Sequence, residues 1–401
     1  MLNYLLFFLL PVYLLRFSIT NSLSVNFLEL LLITVLFINI YIIIKTTSFN
    51  YLLKQIILNK HIFLPFFLIV SGFTLSYLKQ QILTDWMNWT DGFGKLLDLI
   101  ILPTFYSSSL IMLSKLKKLS FLMLLKSYYL SALLVSFLGL VYFINDWLTF
   151  DGRLNVFFQS PNQLAIFIAP AILIGFYLFL TIQRTLKLNI LLHLSLLLLI
   201  FTLYQTFSLG SWLAILFAII YLFLTVRNSF LSFHLKVTVF MAVFFSLICI
   251  LNIDLLLKTF NYQPQIPASS YDSRLTIYQV DQKIISINWL YGIGINNFQN
   301  FYLAQQKYFA LYPQWAVPHA HNNFLHFWIE GGVMAGIGLF LLLSSILLPK
   351  KKSLNVLPGL STTLLSSIFI YFIFHGLVDT TIWTPSAIIL FFSTINLSLA
   401  K

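Results

Sequence analysis

The stretch PHAHNNFLHFWIEGGVMAGIGLFLLL, residues 318–343, opens on two histidines and two asparagines and runs directly into a long apolar segment. From about Asn322 that segment has the length of a membrane-crossing helix, ~20 residues. The Asn322 side chain can cap the first backbone amides, which sets His321 just before the helix, at the positive end of its dipole. A cation is disfavoured there, so the ring is expected to stay neutral and able to take a proton. A neutral imidazole at a membrane surface is what proton removal from a hydroxyl requires. The same residues can equally serve to cap and bridge helices. Deeper in the segment His326 and Glu330 share a face at i and i+4, and an intramembrane carboxylate demands a partner or a role.

The rest of the chain is of the same kind. Of 401 residues 60% are hydrophobic and 8% are charged, with a mean hydropathy of +0.92, whereas soluble domains carry about 25% charged residues. The expected fold class is all-α and polytopic, one membrane domain over residues 1–401. About twelve apolar segments have spanning length, at 3–22, 27–46, 61–79, 95–114, 126–147, 162–182, 188–206, 210–226, 235–253, 322–347, 357–377 and 384–400. The first lacks a basic leader and a small-residue cleavage site, so it is expected to be retained. The net charge of +12 would suit nucleic acid, but its placement argues for a membrane instead. With both termini in the cytoplasm, the inner loops hold Lys115, Lys117 and Lys118, Arg184 and Lys187, and Lys350, Lys351 and Lys352, and no acidic residue. That is the positive-inside pattern. The lone Cys249 allows no intrachain disulfide.

One connection stands apart, residues 254–320, expected on the outer side between the ninth and tenth spans. Within it RLTIYQVDQKIISINWL and NNFQNFYLAQQKYFALYP read as two amphipathic helices separated by the turn YGIG. Helices of that kind lie against a bilayer surface, and a long structured loop in an economical chain is a functional candidate. Arg274, in SSYDSRLTIYQ, opens the first of them, and Ser270 or Asp272 can cap it. The guanidinium then either projects from a rigid helix end or pairs with Asp272. Arg153, in DGRLNVFFQSPNQLA, has a planar fork suited to diphosphate oxygens, and suits a lipid-headgroup anchor equally. Arg16, expected in the first span, must snorkel or face a cavity. His375 and Asp379, at i and i+4, can pair across a helical turn. No HExxH, CxxC, DxD, Walker or GxGxxG–helix pattern is present, so neither a metal nor a nucleotide cofactor is expected.

Together these stretches resemble the O-antigen ligase and polymerase superfamily of bacterial inner membranes. HAHNNFLHFWIEGGVMAGIG is similar to its histidine–asparagine pair before a Gly-rich helix. SRLTIYQ followed by NWLYGIGINNF resembles its arginine-bearing loop helix and Gly-x-Gly-x-x-x-Phe turn, here Gly292, Gly294 and Phe298. GRLNVFFQSPNQLA resembles its arginine followed by Pro-Asn-x-x-Ala, here Arg153, Pro161, Asn162 and Ala165. Three positions depart from the pattern: Leu209 where an arginine would stand, Trp289 in place of a proline, and Val156 in place of a glycine.

The resemblance implies a transferase on the periplasmic face of the inner membrane that needs no nucleotide or metal. Its donor would be an undecaprenyl-diphosphate-linked glycan. As a ligase its acceptor would be a sugar hydroxyl of lipid A–core; as a polymerase it would join lipid-linked repeat units. The compact chain and its signature favour the ligase. His321, Arg274 and Arg153 are then the expected catalytic residues, with Asn322, Asn162, His319, Gly292 and Gly294 contacting substrate. A lipid-linked oligosaccharide flippase is the competing reading, against which stands the clustering of reactive groups at one face, since transporter sites lie near the midplane.

Overall fold

The computed structural model describes residues 1–20, 23–83, 89–181, 186–225, 270–306, 317–347 and 360–399. In chain order its helices are α1 (Leu2–Phe8), α2 (Phe27–Thr46), α3 (Phe49–Leu58), α4 (Lys60–Leu83), α5 (Trp89–Leu96), α6 (Leu102–Lys115), α7 (Phe121–Ile144), α8 (Pro161–Thr181), α9 (Leu186–Tyr204), α10 (Leu209–Thr225), α11 (Ser270–Asn288), α12 (Phe298–Gln306), α13 (Asn323–Leu347), α14 (Leu360–His375) and α15 (Pro385–Leu399). A π-helical turn, Leu97–Ile101, joins α5 to α6 into one continuous rod. Among the described residues seven helices are long and apolar enough to cross a membrane: Phe27–Thr46, Lys60–Leu83, Gly92–Lys115, Phe121–Ile144, Pro161–Phe179, Lys187–Tyr204 and Asn323–Ser345. The expected spans at 210–226, 357–377 and 384–400 appear as shorter apolar helices, Leu209–Leu222, Thr363–His375 and Pro385–Ile395. The span expected at 235–253 lies outside the described residues.

The segment at 3–22 departs from expectation. Its helix stops at Phe8, a 3-10 turn covers Leu10–Leu14, and Arg16–Thr20 then pairs antiparallel with Leu23–Asn26 as strands β1 and β2. Pro11 explains the stop, since it supplies no amide and clashes with the preceding turn. Beyond it RFSIT and LSVN alternate apolar and polar residues, a period-two pattern that suits strands. Arg16 therefore stands on a strand, not on a spanning helix.

The chain divides into two compact units. The first comprises Met1–Leu14, Ser120–Pro264 and Lys350–His375. It is organised on α8, which is buried along nearly its whole length and packs on α7, α9, α10 and α14. Tyr128 of α7 donates to the Phe167 carbonyl of α8 at 2.5 Å, and Tyr129 meets Ser195 of α9 at 2.5 Å.

The second comprises Leu15–Leu119, Gln265–Pro349 and Gly376–Lys401. Its central contact is between α4 and α13. Lipid is as apolar as leucine, so association within a bilayer depends on close packing of small residues. The Gly-rich run of α13 supplies them. A Cβ on Gly72 of α4 would lie 2.6 Å from the Ala335 amide, and one on Gly338 would lie 2.8 Å from the Pro65 carbonyl. The helix α13 is also broken at Gly332, which has φ 72° and ψ −175°, a region open essentially to glycine alone.

The turn 289–294 enters that break. Val333 donates to the Trp289 carbonyl at 3.0 Å, Ile293 to that of Ile329 at 2.9 Å and Gly294 to that of Glu330 at 3.2 Å. A Cβ on Gly292 would sit 2.6 Å from the Gly332 amide. Each glycine pair thus exists to admit the other's backbone. Gly332→Ala combines a strained φ with a collision at Leu290 and Tyr291, and should cost at least about 1–3 kcal/mol. Detergent thermal unfolding against wild type checks this; an unchanged midpoint would refute the account.

Candidate functional site

The mouth of α13 is held by its own cap. Asn322 Oδ1 accepts from the amides of Phe324 and Leu325 at 2.9 and 3.1 Å, and its Nδ2 donates to the Leu377 carbonyl at 3.1 Å. His321 stands immediately before this cap with φ 48°, a left-handed conformation uncommon outside glycine and worth a functional explanation. Its Nδ1 lies 3.0 Å from Asp379 Oδ1. A carboxylate can only accept, so Nδ1 carries the hydrogen of this contact, which in a neutral ring leaves the lone pair on Nε2. Asp379 Oδ1 also accepts from the Thr380 amide at 2.8 Å. The Asp379 side chain is 4% exposed and that of His321 24%, so the orienting group is sheltered while the ring is reachable.

The segment after α14 frames this pair. Asn323 donates its amide to the Gly376 carbonyl at 2.8 Å and accepts at Oδ1 from Thr381 N at 2.9 Å. Tyr278 of α11 donates to the carbonyls of both His321 and Leu377 at 3.2 Å. Arg274, one helical turn earlier, donates Nε to the Val378 carbonyl at 2.9 Å. The structure therefore brings Arg274, His321 and Asp379 together. Tyr278, Asn323 and Asp379 are the members sequence reasoning did not place here. The helix α11 begins at Ser270, earlier than expected, so Ser270 and Asp272 lie within it and do not cap it, and Arg274 follows one turn after its start.

His319 completes the cluster, its ring centroid 4.6 Å from that of His321. Burial first, and the neighbouring His321 second, push its pKa down to about 4, so it is neutral at physiological pH. Its Nδ1 is buried with no hydrogen-bond partner. One ligand-type atom from each of His319, His321 and Asp379 lies within 4.8 Å of the others, a grouping that no sequence motif announced.

Behind the mouth, α11, α12 and the start of α13 share an apolar core that includes Ile277, Val280, Phe298 and Ile329. The paired residues His326 and Glu330 lie at its edge, with His326 Nε2 3.8 Å from Glu330 Oε2. Glu330 also accepts from the amides of Asn296 and Phe298 at 3.1 and 3.3 Å, capping α12. The two side chains are neighbours without a hydrogen bond between them, His326 Nε2 having no partner, and the carboxylate's task is the cap on α12. Gly292 and Gly294 are buried in the turn that this capping holds.

Asp281 is fully buried beside the same core, and neither carboxylate oxygen has a hydrogen-bond partner. Burial raises its pKa well above the ordinary value. A carboxyl raised in the folded state binds more protons there than in the unfolded chain. Its contribution to stability is greatest below the ordinary value of about 3.9 and is lost as pH rises towards the folded value. Asp281→Asn should flatten that part of the pH dependence. Thermal midpoints measured from about pH 5 to about pH 9 should then fall less steeply in the variant; equal slopes would refute it.

Arg153 belongs to the other unit. Its Nε donates to the Thr206 carbonyl at 2.8 Å and its Nη2 to Asn162 Oδ1 at 2.9 Å, with Asp151 Oδ2 3.7 Å from Nη1. The guanidinium is thus tied to Asn162 at the start of α8, a contact that the sequence reading did not specify. Val156, where the resemblance has glycine, has φ 54°. A left-handed residue costs about 1–3 kcal/mol, and burying valine returns about 1.5–3 kcal/mol. The two are comparable, which accounts for valine at a glycine position. Leu209 opens α10 and is 40% exposed.

Residues 194–341 match the family described as O-antigen ligase. The match takes in Arg274, the glycine turn and the histidine mouth, and stops short of Arg153 and Asn162. No curated protein matches the chain.

Proposed function

We propose, from the match of residues 194–341 to the O-antigen ligase family, that this multi-pass membrane protein is a ligase. It moves an undecaprenyl-diphosphate-linked glycan onto a sugar hydroxyl of lipid A–core at the periplasmic face of the inner membrane. The observation that carries the reading is the Asp379–His321 pair at 3.0 Å, with Arg274 bonded to the residue beside Asp379. The acceptor oxygen attacks the anomeric carbon of the donor glycan. The bond from that carbon to the diphosphate oxygen breaks, and the diphosphate leaves with the electron pair. The hydroxyl proton passes to His321 Nε2, and Asp379 stabilises the imidazolium so formed. Arg274 neutralises charge on the leaving diphosphate. Arg153 is assigned the same task on its resemblance and on its fixed guanidinium. Asn322 holds His321 in place through the cap, and His319 adds a neutral polar wall. The step uses no metal and no nucleotide.

Purified protein, lipid-linked glycan and lipid A–core in detergent test this directly. Product without a membrane or gradient supports the transferase; its absence with intact protein leaves the flippase. Lipid-linked repeat units offered as the sole acceptor separate the polymerase, which would join them. Asp379 gives a graded check. In Asp379→Asn the amide oxygen can still accept from Thr380 N and His321 Nδ1, so orientation survives and only charge is lost. In Asp379→Ala both go. A hydrogen bond to a charged group is worth about 1.5–3 kcal/mol, roughly 10–100-fold in rate, so the alanine variant should lose that much and the asparagine variant less. Equal rates in wild type and Asp379→Ala would remove Asp379 from the reaction.

A further inference from the structure

We propose that His319, His321 and Asp379 form a site for one divalent transition cation, with zinc as the best fit, and that its occupancy shuts off transfer. The inhibitory half rests on the transfer reading above; the binding half stands without it.

The donor set is two imidazoles and one carboxylate, with one ligand atom from each within 4.8 Å of the others. Tetrahedral zinc with nitrogen and oxygen ligands at ~2.0–2.2 Å needs them about 3.4 Å apart. No pair in the cluster therefore exceeds that spacing by more than about 1.4 Å, within reach of side-chain rotation. The donor types select zinc, copper or nickel over magnesium and calcium, which prefer all-oxygen shells.

A second observation points to an occupant. His319 Nδ1 is buried and has no hydrogen-bond partner, although an orphaned buried polar atom costs about 1–3 kcal/mol. A cation bound through that nitrogen would satisfy it. The outer support that metal sites require is also present: Asp379 Oδ1 accepts from Thr380 N at 2.8 Å, and the His321 carbonyl accepts from Tyr278 at 3.2 Å. Three protein ligands leave a fourth position open to water.

Occupancy conflicts with the chemistry assigned to His321. Ligation either takes the lone pair that would receive the hydroxyl proton or displaces the hydrogen shared with Asp379. In both cases the Asp379–His321 pair no longer works as a base. The metal-free imidazole transfers glycan, and the zinc-bound site does not.

The test uses the full chain in detergent, stripped with a chelator. Calorimetric titration with zinc chloride should show one binding event, absent with magnesium, and His319→Ala should weaken it by at least about tenfold. Cobalt(II) on the wild-type protein should give visible d–d absorption of a low-coordinate nitrogen–oxygen site, which reads ligation without relying on a variant. Zinc added to the transfer assay should lower the rate in step with occupancy, and chelator should restore it. No zinc binding by wild type, no cobalt band, or undiminished binding by His319→Ala would overturn the site. Binding with an unchanged or increased transfer rate would overturn the inhibition. Zinc binding by protein that transfers nothing when metal-free would uphold the site and sink the transfer reading, so the two failures are distinguishable.

Discussion

His321→Ala should lower the rate of glycan transfer by about 10²–10⁴-fold, the range for loss of a general base, in protein that still folds and inserts. The magnitude follows from the arrangement. Nδ1 is committed to Asp379 at 3.0 Å, the ring is partly exposed, and the remaining nitrogen faces the task of accepting a proton. Alanine carries a complication, because residue 321 sits at φ 48°, where a Cβ-bearing residue without a local hydrogen bond is strained. His321→Asn avoids it, since asparagine tolerates that conformation and offers no basic nitrogen. Both variants should lose transfer, and the asparagine variant should keep the wild-type unfolding temperature. Near-normal rates in His321→Asn would end the general-base role whatever alanine does.

The difference between what sequence pattern and fold each reveal is clearest around this histidine. The cap at Asn322, the start of α13 and the two helices α11 and α12 follow from spacing and propensity, which act over a few neighbouring residues. Asp379 shows the limit. Periodicity relates it to His375 four residues earlier, but its carboxylate reaches His321, 58 positions away, and no local signal encodes a contact between segments that only the fold brings together. Tyr278 fails to stand out for a similar reason: an aromatic at helical spacing reads as core, while its hydroxyl binds two carbonyls of the site. Asp281 is hidden inside RLTIYQVDQKIISINWL, where one acid does not disturb the apolar period. The paired glycines 292 and 332 are visible as turn signals, but their complementarity is a property of two backbones. Pro11 is the opposite case, a local signal outweighed by the length of the apolar run around it. That run predicts a span where the chain makes a short helix and a hairpin.

Arg274→Ala should reduce transfer by about 10²–10³-fold, the usual cost of removing one donor aimed at developing negative charge. Two roles compete for this arginine, and they predict different patterns. If it only ties α11 to the 376–381 segment through the Val378 carbonyl, its loss shifts His321 indirectly and lowers stability, and any long donor should restore much of the rate. If it meets the diphosphate, the planar fork is required, because an ammonium is a point charge that cannot reproduce two parallel hydrogen bonds. Arg274→Lys should then remain impaired while unfolding like wild type, and its affinity for undecaprenyl diphosphate should fall together with the rate. Both arginine variants retaining wild-type affinity for that carrier would assign Arg274 to the scaffold. The same measurement on Arg153→Ala decides whether a second guanidinium shares the load, which matters because Leu209 occupies the position from which the resemblance would have drawn a third.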